Sequence, residues 1–175
     1  MASCDITRGR GLSCKDAIGG LKAVYFINSG DLGTPVFDAD NQTITKLGDS
    51  SPTDAYKYDL HLGNDLTQNI NSSAENGTLF FEQVLSLTLK KLSKEDNVEV
   101  RQLAAGHPHI IVEDQMGNFM VVGLVNGADV TGGTAVTGNA MGDLNGYTLT
   151  FTANERYLAN FYTGDITTDF SVVSV

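Results

Sequence analysis

The stretch that decides the fold begins with Gly117-Asn-Phe-Met-Val-Val-Gly-Leu-Val-Asn-Gly127 and ends with Tyr147-Thr-Leu-Thr-Phe-Thr-Ala153. In the second run Tyr147, Leu149 and Phe151 alternate with threonines, and a period of two places apolar side chains on one face of a strand and polar ones on the other. Residues 128–145, between the two runs, are rich in glycine and threonine. The stretch therefore predicts a strand, a long glycine-rich loop and a second strand.

Similar strand patterns occur along most of the chain. Residues 21–27 are apolar except for one lysine, which indicates a buried strand, and residues 56–62 alternate as in a half-buried strand. Asn76-Gly77 is a strong hairpin signal, and it opens the longest extended segment, residues 78–92, which carries apolar side chains on both faces. Shorter strands are predicted at residues 36–37, 43–45, 109–113 and 119–125.

One helix is expected. Ser93-Lys-Glu-Asp96 resembles a capping box with Asp in place of the usual Glu or Gln, and Gly106 ends the pattern. We therefore predict a mainly β fold, a β-sandwich or barrel with one short flanking α-helix. Residues 1–20 are predicted to be an N-terminal arm, and residues 21–175 a single β-rich domain of ordinary size.

The net charge of −10 is unevenly distributed. Four basic and two acidic side chains give the first 22 residues a net charge of +2, which leaves −12 for the rest. The acidic balance disfavours general binding of nucleic acid through a basic surface. A basic arm beside an acidic body suggests self-association by charge complementarity, with ordinary solubility as the equal alternative.

No catalytic or metal-binding set stands out. His107 and His109 flank Pro108, but no second pair completes a zinc-like spacing. Cys4 and Cys14 are expected to be free thiols in a reducing cytosol, because no positioned base accompanies them and the N-terminus shows no secretory signal. The pair Asp38 and Asp40 lacks the rest of a calcium loop. The expectations are no catalytic residue, no cofactor and no metal, so the chain is predicted not to be an enzyme.

Four segments together carry a family resemblance. They are Thr78-Leu-Phe-Phe-Glu-Gln-Val-Leu-Ser-Leu-Thr-Leu-Lys-Lys-Leu92, His109-Ile-Ile-Val-Glu-Asp-Gln-Met-Gly-Asn118, Gly123-Leu-Val-Asn-Gly-Ala-Asp-Val-Thr-Gly-Gly133 and Met141-Gly-Asp-Leu-Asn-Gly-Tyr-Thr-Leu-Thr-Phe-Thr-Ala-Asn-Glu155. Over roughly residues 65–160 the chain resembles structural proteins of tailed bacteriophages, most closely tail tube subunits. Thr7-Arg-Gly-Arg10 and residues 14–22 also resemble the opening of such subunits.

The resemblance implies a subunit that forms hexameric rings, which stack into a hollow tube. Strands of all subunits would combine into one inner barrel, while arms and loops reach neighbouring subunits. A negative lumen would let genomic DNA pass during ejection without specific binding. The implied partners are copies of itself and other tail proteins (sheath if the tail contracts, tape measure, baseplate and terminator). The implied location is the virion tail, after synthesis in the host bacterial cytoplasm.

Two alternatives stay open. One is another virion structural role, such as a tail terminator, head–tail connector or head decoration protein. The other is a β-barrel module that binds a small ligand or carbohydrate on a platform made from Tyr56, Tyr58, Tyr147 or Tyr157. For self-assembly, the loop 128–145 is expected to be mobile in the free subunit and ordered by a neighbour. The candidate inter-subunit contacts are Arg8, Arg10, Phe80, Val84, Val130, Val136, Met141 and Leu144.

Overall fold

The computed structural model describes Ile6, residues 8–39 and residues 42–174. Strands account for 46% of the chain and helices for 10%, which confirms the predicted mainly β fold. The two helices are α1 (Lys94–Ala105) and α2 (Ile166–Asp169). The strands are β1 (Leu21–Ile27), β2 (Val36–Phe37), β3 (Ile44–Lys46), β4 (Thr53–Asp59), β5 (Asp65–Ser73), β6 (Thr78–Lys90), β7 (His109–Asp114), β8 (Phe119–Val122), β9 (Asp129–Val136), β10 (Gly146–Glu155), β11 (Asn160–Tyr162) and β12 (Phe170–Val173).

The strands form two sheets. The large sheet has eight strands in the order β12-β4-β1-β7-β8-β11-β3-β2, and the small sheet has four in the order β5-β6-β10-β9. All pairs in the small sheet are antiparallel: β5–β6 and β9–β10 are hairpins, and the chain between β6 and β9 passes through α1, β7 and β8. The large sheet adds two parallel pairs, β12 with β4 and β11 with β3.

The first hydrophobic core lies between the two sheets. Val24 and Phe26 of β1 face it from the large sheet, while Leu87 of β6 and Leu149 and Phe151 of β10 face it from the small sheet. The rings of Phe26 and Phe151 lie 5.3 Å apart between centroids. This packing explains the alternation from residue 147 onward, because one face of β10 covers the core and the threonine face points away.

A second core lies on the opposite face of the large sheet. It contains Ala23 and Tyr25 of β1, together with Ile44 of β3 and Phe170 of β12 from the two ends of the sheet. The sheet therefore curls around this core. Since β1 contacts a core on both faces, its sequence is an almost continuous apolar run.

A buried carboxylate joins the two ends of the curled sheet. Asp169 accepts hydrogen bonds from the backbone N–H of Leu47 at 2.8 Å and from the hydroxyl of Tyr162 at 2.7 Å. A buried charge needs such partners, because its loss of hydration is otherwise uncompensated. The contact spans 122 residues of sequence between Leu47 and Asp169.

The predicted helix is confirmed. The Ser93 side chain accepts a hydrogen bond from the N–H of Asp96 at 3.0 Å, and the N–H of Gly106 donates to Gln102 at the other end. None of the residues of α1 is fully buried, so it lies on the flank of the sandwich. The helix α2 is a single turn that begins after the capping residue Asp165, and the sequence did not predict it.

The predicted long loop is wrong over nearly half of its length. Residues 129–136 form β9, which pairs with β10, and only residues 137–145 connect the two strands. Glycine is required at position 133, because a Cβ there would lie 2.7 Å from the carbonyl oxygen of Thr148 on the neighbouring strand. Gly133, one of the glycines that indicated a loop, thus permits close approach of two strands. The argument for self-assembly from a loop that needs ordering therefore fails for residues 129–136.

One strand was not predicted, and two predicted strands end earlier than expected. The strand β5 was not predicted, since most of its side chains are polar. The alternation at residues 56–62 ends early, because β4 stops at Asp59 and Leu62 is an exposed side chain outside it. The strand predicted at residues 119–125 is shorter, because β8 ends at Val122.

Candidate functional site

The outer face of the small sheet is the face turned away from the first core. Along β6, the buried side chains Gln83, Leu85 and Leu87 point toward the core, and the residues between them point outward. The strand register puts the partners of those residues on the same face. We call this surface the outer face, and it contains Asp65, Thr67, Asn69, Asn71, Phe80, Glu82, Val84, Ser86, Thr88, Lys90, Asp129, Thr131, Thr134, Thr148, Thr150 and Thr152.

Polar contacts between neighbouring strands organise the outer face. The hydroxyls of Thr131 and Thr152 lie 2.9 Å apart, and those of Thr134 and Thr148 lie 2.6 Å apart. The Asn69 amide donates to the Glu82 carboxylate at 3.0 Å. Such pairs fix the side chains across adjacent strands. The result is a hydroxyl-rich and amide-rich surface.

The charges of the outer face are mainly acidic. Among the residues that define this face, three carry a carboxylate and one carries an ammonium group. The acidic residues are Asp65, Glu82 and Asp129, and the basic residue is Lys90. Asp129 also contacts the Nδ1 of His107, which lies beyond the sheet. A surface with this balance repels phosphate groups more than it attracts them.

The small sheet has two free edges. The strand order ends with β5 on one side and β9 on the other, and within residues 8–39 and 42–174 neither pairs with a further strand. The register between β5 and β6 runs without a bulge over nine residue pairs. Neither β5 nor β9 contains Lys or Pro, the residues that commonly protect an edge strand. β9 has one irregularity, opposite Thr150 and Phe151 of β10. These edges are suited to pairing with another chain.

The hairpin of β5 and β6 extends past the rest of the small sheet. β10 pairs with β6 only as far as Phe81, so the residues on either side of the hairpin turn have no third strand beside them. Ile70, Leu79 and Phe80 are large apolar side chains here and are 65%, 55% and 44% exposed. An exposed apolar hairpin end of this kind is typical of a contact surface.

The N-terminal segment makes few contacts with the domain. Residues 8–20 contain no helix or strand and are exposed, and Arg8 and Arg10 lie in this part. Ile6 and Leu12 expose their apolar side chains almost completely. The backbone carbonyl of Gly20 accepts a hydrogen bond from the N–H of Gln115, where the segment meets the domain.

The structure distributes the remaining candidate contacts over different surfaces. Phe80 and Val84 lie on the outer face, and Val136 lies at the end of β9 and is 36% exposed. The prediction that Val130 lies in a mobile loop is wrong. Val130 belongs to β9, and its side chain packs against the first core. Met141 is fully exposed in the connection 137–145, while Leu144 is half-buried there.

The structure reveals further surface residues that the sequence analysis did not single out. Ile70 and Leu79 lie at the hairpin end, and Val125, Tyr157 and Leu158 form an exposed apolar group beside the end of β10. The alternation of Leu66 and Ile70 with polar residues is a weak sequence signal for β5. No sequence pattern indicates the group of Val125, Tyr157 and Leu158, because its members come from two different connections between strands.

The two histidines of interest have separate partners. His107 pairs with Asp129, whereas His109 is buried with its Nδ1 2.6 Å from the carbonyl oxygen of Gly123. Among the residues that the structure describes, no group of three or more His, Cys, Asp and Glu side chains is arranged to hold a metal ion. Asp38 accepts hydrogen bonds from the backbone of Gln42 and Thr43, and Asp40 lies outside the described residues. Cys14 is an exposed free thiol, and Cys4 also lies outside the described residues.

The tyrosines proposed as a ligand platform do not meet. Tyr56 and Tyr58 line a cleft of about 230 Å³ beside α1, and burial, with Glu99 and Asp96 nearby, raises the pKa of Tyr58 to about 12. Tyr147 is buried, and its hydroxyl donates to Asn97 at 2.5 Å. Tyr157 lines a different cleft. The four side chains therefore do not form one binding surface.

Fold and surface together define a mainly β protein with two sheets, one of which leaves a polar face and two edges uncovered in the described part of the chain. No family model, curated protein or solved structure matches this chain. None of the helices in the described residues has the length and apolar character needed to cross a membrane.

Proposed function

We propose that this chain is a structural subunit of a phage tail tube. It polymerises as stacked hexameric rings, and the rings form a negatively charged conduit for DNA ejection. The observation that carries the proposal is the small sheet, with its uncovered polar outer face and its two free edges. The resemblance of residues 65–160 to tail tube subunits supplies the family and the sixfold ring.

Ring closure follows from the two edges. The free edge of β5 in one subunit pairs with the free edge of β9 in the next, so that four strands from each of six subunits make one continuous barrel. An isolated subunit leaves rows of backbone N–H and C=O groups at both edges, which invite uncontrolled pairing. A closed ring satisfies these groups and leaves no edge on which aggregation can start.

The outer face becomes the wall of the lumen in this arrangement. Asp65 and Glu82 repel the DNA phosphates, and the threonine hydroxyls keep the wall polar without adding positive charge. A single ammonium group, that of Lys90, belongs to this face in each subunit. DNA therefore passes along the wall without specific binding.

The proposed role also implies partners and a location. The chain is made in the host bacterial cytoplasm and functions in the virion tail, with no catalytic activity and no cofactor. Its main partner is itself, and the ends and surface of the tube contact the terminator, the tape measure, the baseplate and, in a contractile tail, the sheath.

Proline substitutions on β9 test the edge pairing. Successive N–H groups of an edge strand point alternately toward the neighbouring strand and away from it. Thr134 and Ala135 are successive residues of β9, so one N–H points to β10 and the other to the free edge. Proline at the position that faces β10 removes a hydrogen bond to β10 and destabilises the subunit. Proline at the position that faces the free edge removes only the N–H at that edge, so that variant should keep its melting temperature. We expect the stable variant to form no rings in negative-stain micrographs, whereas the unmodified chain forms rings or tubes. Normal rings from the stable variant would exclude pairing through β9.

The same micrographs separate the alternative functions. Single rings that never stack favour a terminator, a connector or a decoration protein. A stable monomer at high concentration favours a binding module, for which the cleft lined by Tyr56 and Tyr58 is the candidate site. Tubes with a hollow lumen favour the tail tube.

A further inference from the structure

The connection 137–145 is an ordered loop with an apolar tip. The carboxylate of Asp143 accepts hydrogen bonds from the N–H groups of Asn139 and Ala140 at 2.9 and 2.7 Å. The backbone of Lys91 donates to the carbonyl of Asn145 at 2.6 Å, which holds the base of the loop against the end of β6. At the tip, Met141 exposes its whole side chain to solvent. The loop thus presents a flexible apolar side chain on a fixed backbone.

An apolar cleft lies at the other end of the same sheet. It has a volume of about 340 Å³, and Leu124, Val125, Tyr157 and Leu158 line it. Val125 is 75% exposed and Tyr157 is 65% exposed. The buried carboxylate of Glu155 fixes one side of the cleft, since it accepts hydrogen bonds from the N–H groups of Val125 and Asn126 at 2.9 and 2.8 Å.

The tip and the cleft are complementary in charge as well as in polarity. Asp143 lies two residues from Met141, and the N–H groups of Ala140 and Asn139 hold the pKa of its carboxyl below the ordinary value. Arg156 lines the cleft, with its guanidinium carbon 5.9 Å from the centre of the Tyr157 ring. Arg156 is also the only Lys or Arg residue after position 112. The loop therefore carries one exposed carboxylate, and the cleft carries the exposed guanidinium of Arg156 beside the buried carboxylate of Glu155.

The positions of the loop tip and the cleft indicate that the tip binds a second copy of the chain. Both adjoin β10, the tip before Gly146 and the cleft after Glu155. A strand of ten residues separates them by about 30 Å. The two surfaces of one subunit therefore cannot meet each other, but the tip of one copy can enter the cleft of the next. A head-to-tail contact between the two ends of a strand repeats along the strand direction, and it produces an open stack when its rotation does not close into a ring.

We propose that Met141 of one copy of this chain inserts into the cleft formed by Leu124, Val125, Tyr157 and Leu158 of a second copy, and that this contact stacks one ring on the next. The inference rests on the proposed tube and adds the axial contact to it. The pairing of β5 with β9 acts within a ring, and the contact of Met141 acts between rings.

Charge substitutions test the contact. Met141→Asp and Val125→Asp change exposed side chains, so both variants should fold normally. Burial of a methionine side chain favours association by about tenfold or more, and a carboxylate removes that gain. We expect both variants to form single rings and to need at least about tenfold higher concentration to stack. Met116→Asp, at an exposed methionine in another turn, is the matched control and should stack normally.

Cysteine pairs test the direction of the contact. In a chain with Cys4 and Cys14 replaced by Ser, Met141→Cys is mixed with Val125→Cys under oxidising conditions. A head-to-tail contact gives disulfide-linked dimers in the mixture and none from either variant alone. Dimers of Met141→Cys alone would show a symmetric contact and overturn the proposal.

The outcomes separate this inference from the function on which it rests. Tubes formed equally well by Met141→Asp overturn the contact and leave the tail tube intact. An unmodified chain that stays monomeric at every concentration overturns both. Rings without stacks from Met141→Asp and Val125→Asp, with normal tubes from Met116→Asp, support the contact.

Discussion

The side-chain oxygen of Gln83 accepts a hydrogen bond from the backbone N–H of Gly123 at 3.0 Å in the interior between the two sheets. The amide group of the same side chain donates to the carbonyl of Tyr157 at 3.2 Å. Gln83 is 1% exposed, and it interrupts the apolar face of the longest strand. One buried polar side chain thus joins the small sheet to two connections next to the large one.

Replacement of Gln83 by Leu should therefore destabilise the subunit, although it makes the strand face uniformly apolar. The buried N–H of Gly123 loses its partner, which costs about 1–3 kcal/mol. The part-buried carbonyl of Tyr157 loses its partner as well. Chemical denaturation should show a loss of this order in the free energy of unfolding. Ser86→Ala, on the outer face of the same strand, is the control and should change stability by less than about 0.5 kcal/mol. Equal effects would contradict the role of Gln83.

The two faces of β6 should respond differently to a charge. Leu87 is 1% exposed in the first core, so Leu87→Asp buries an unpaired carboxylate and should cost at least about 4 kcal/mol, a large share of the roughly 5–15 kcal/mol that stabilises a typical domain. Val84 lies on the outer face, and Val84→Asp should leave the monomer folded and impair assembly. Circular dichroism and sedimentation measure the two properties. Similar unfolding by both variants would show that the outer face is covered within the subunit. Phe81, which is half-buried, and Phe80, which is 44% exposed, form a second pair for which we expect a smaller contrast.

Deletion of residues 1–18 should affect assembly and not folding. The described residues of this segment are exposed, and the deletion spares Gly20, whose carbonyl contacts Gln115. We expect the free energy of unfolding to change by less than about 0.5 kcal/mol and tubes to form poorly. The double substitution Arg8→Gln and Arg10→Gln keeps the length of the segment but removes two positive charges. It therefore shows whether assembly depends on the charge of the segment or on its presence. Unfolding of the shortened chain would show that the segment belongs to the core.

Amide hydrogen exchange tests the revised account of residues 128–145. Residues 129–136 pair with β10 in the free subunit, so their bonded amides should exchange slowly without any partner. In the loop, the N–H groups of Asn139 and Ala140 depend on the ionised form of Asp143. Since the pKa of Asp143 is lower in the folded chain, its stabilising effect is complete above the ordinary pKa of about 4 and is lost as the pH falls through the lowered value.

The measured protection of Asn139 and Ala140, corrected for intrinsic rates, should therefore decrease below about pH 4. Asp143→Asn should abolish this pH dependence. Uniformly rapid exchange across residues 129–145 at neutral pH would restore the original prediction of a mobile loop.

Strong periodicity predicted much of the fold. Tyr147, Leu149 and Phe151 predicted one face of β10, and the run from Leu21 to Ile27 predicted a buried strand, which the structure shows to contact a core on each face. The Ser93 cap predicted the beginning of the helix. In these cases the pattern along the chain and the packing of the fold require the same residue types.

The missed features depend on neighbours that are distant in sequence. Gly133 indicates a loop when read locally, yet it lies in a strand because β10 approaches it closely. The polar side chains of β5 are tolerated because they lie at a free edge or on the outer face. The contact of Asp169 with Leu47 joins residues that are 122 positions apart in the sequence, and no local pattern predicts it. The apolar cleft beside Tyr157 was missed for the same reason.

Cryo-electron microscopy of assembled protein tests the central claim most directly. The tail tube account predicts hollow tubes of sixfold rings in which the small sheet lines the lumen and β5 of each subunit pairs with β9 of its neighbour. A chain that stays monomeric at high concentration, or an assembly in which the outer face of the small sheet points away from the lumen, would contradict it.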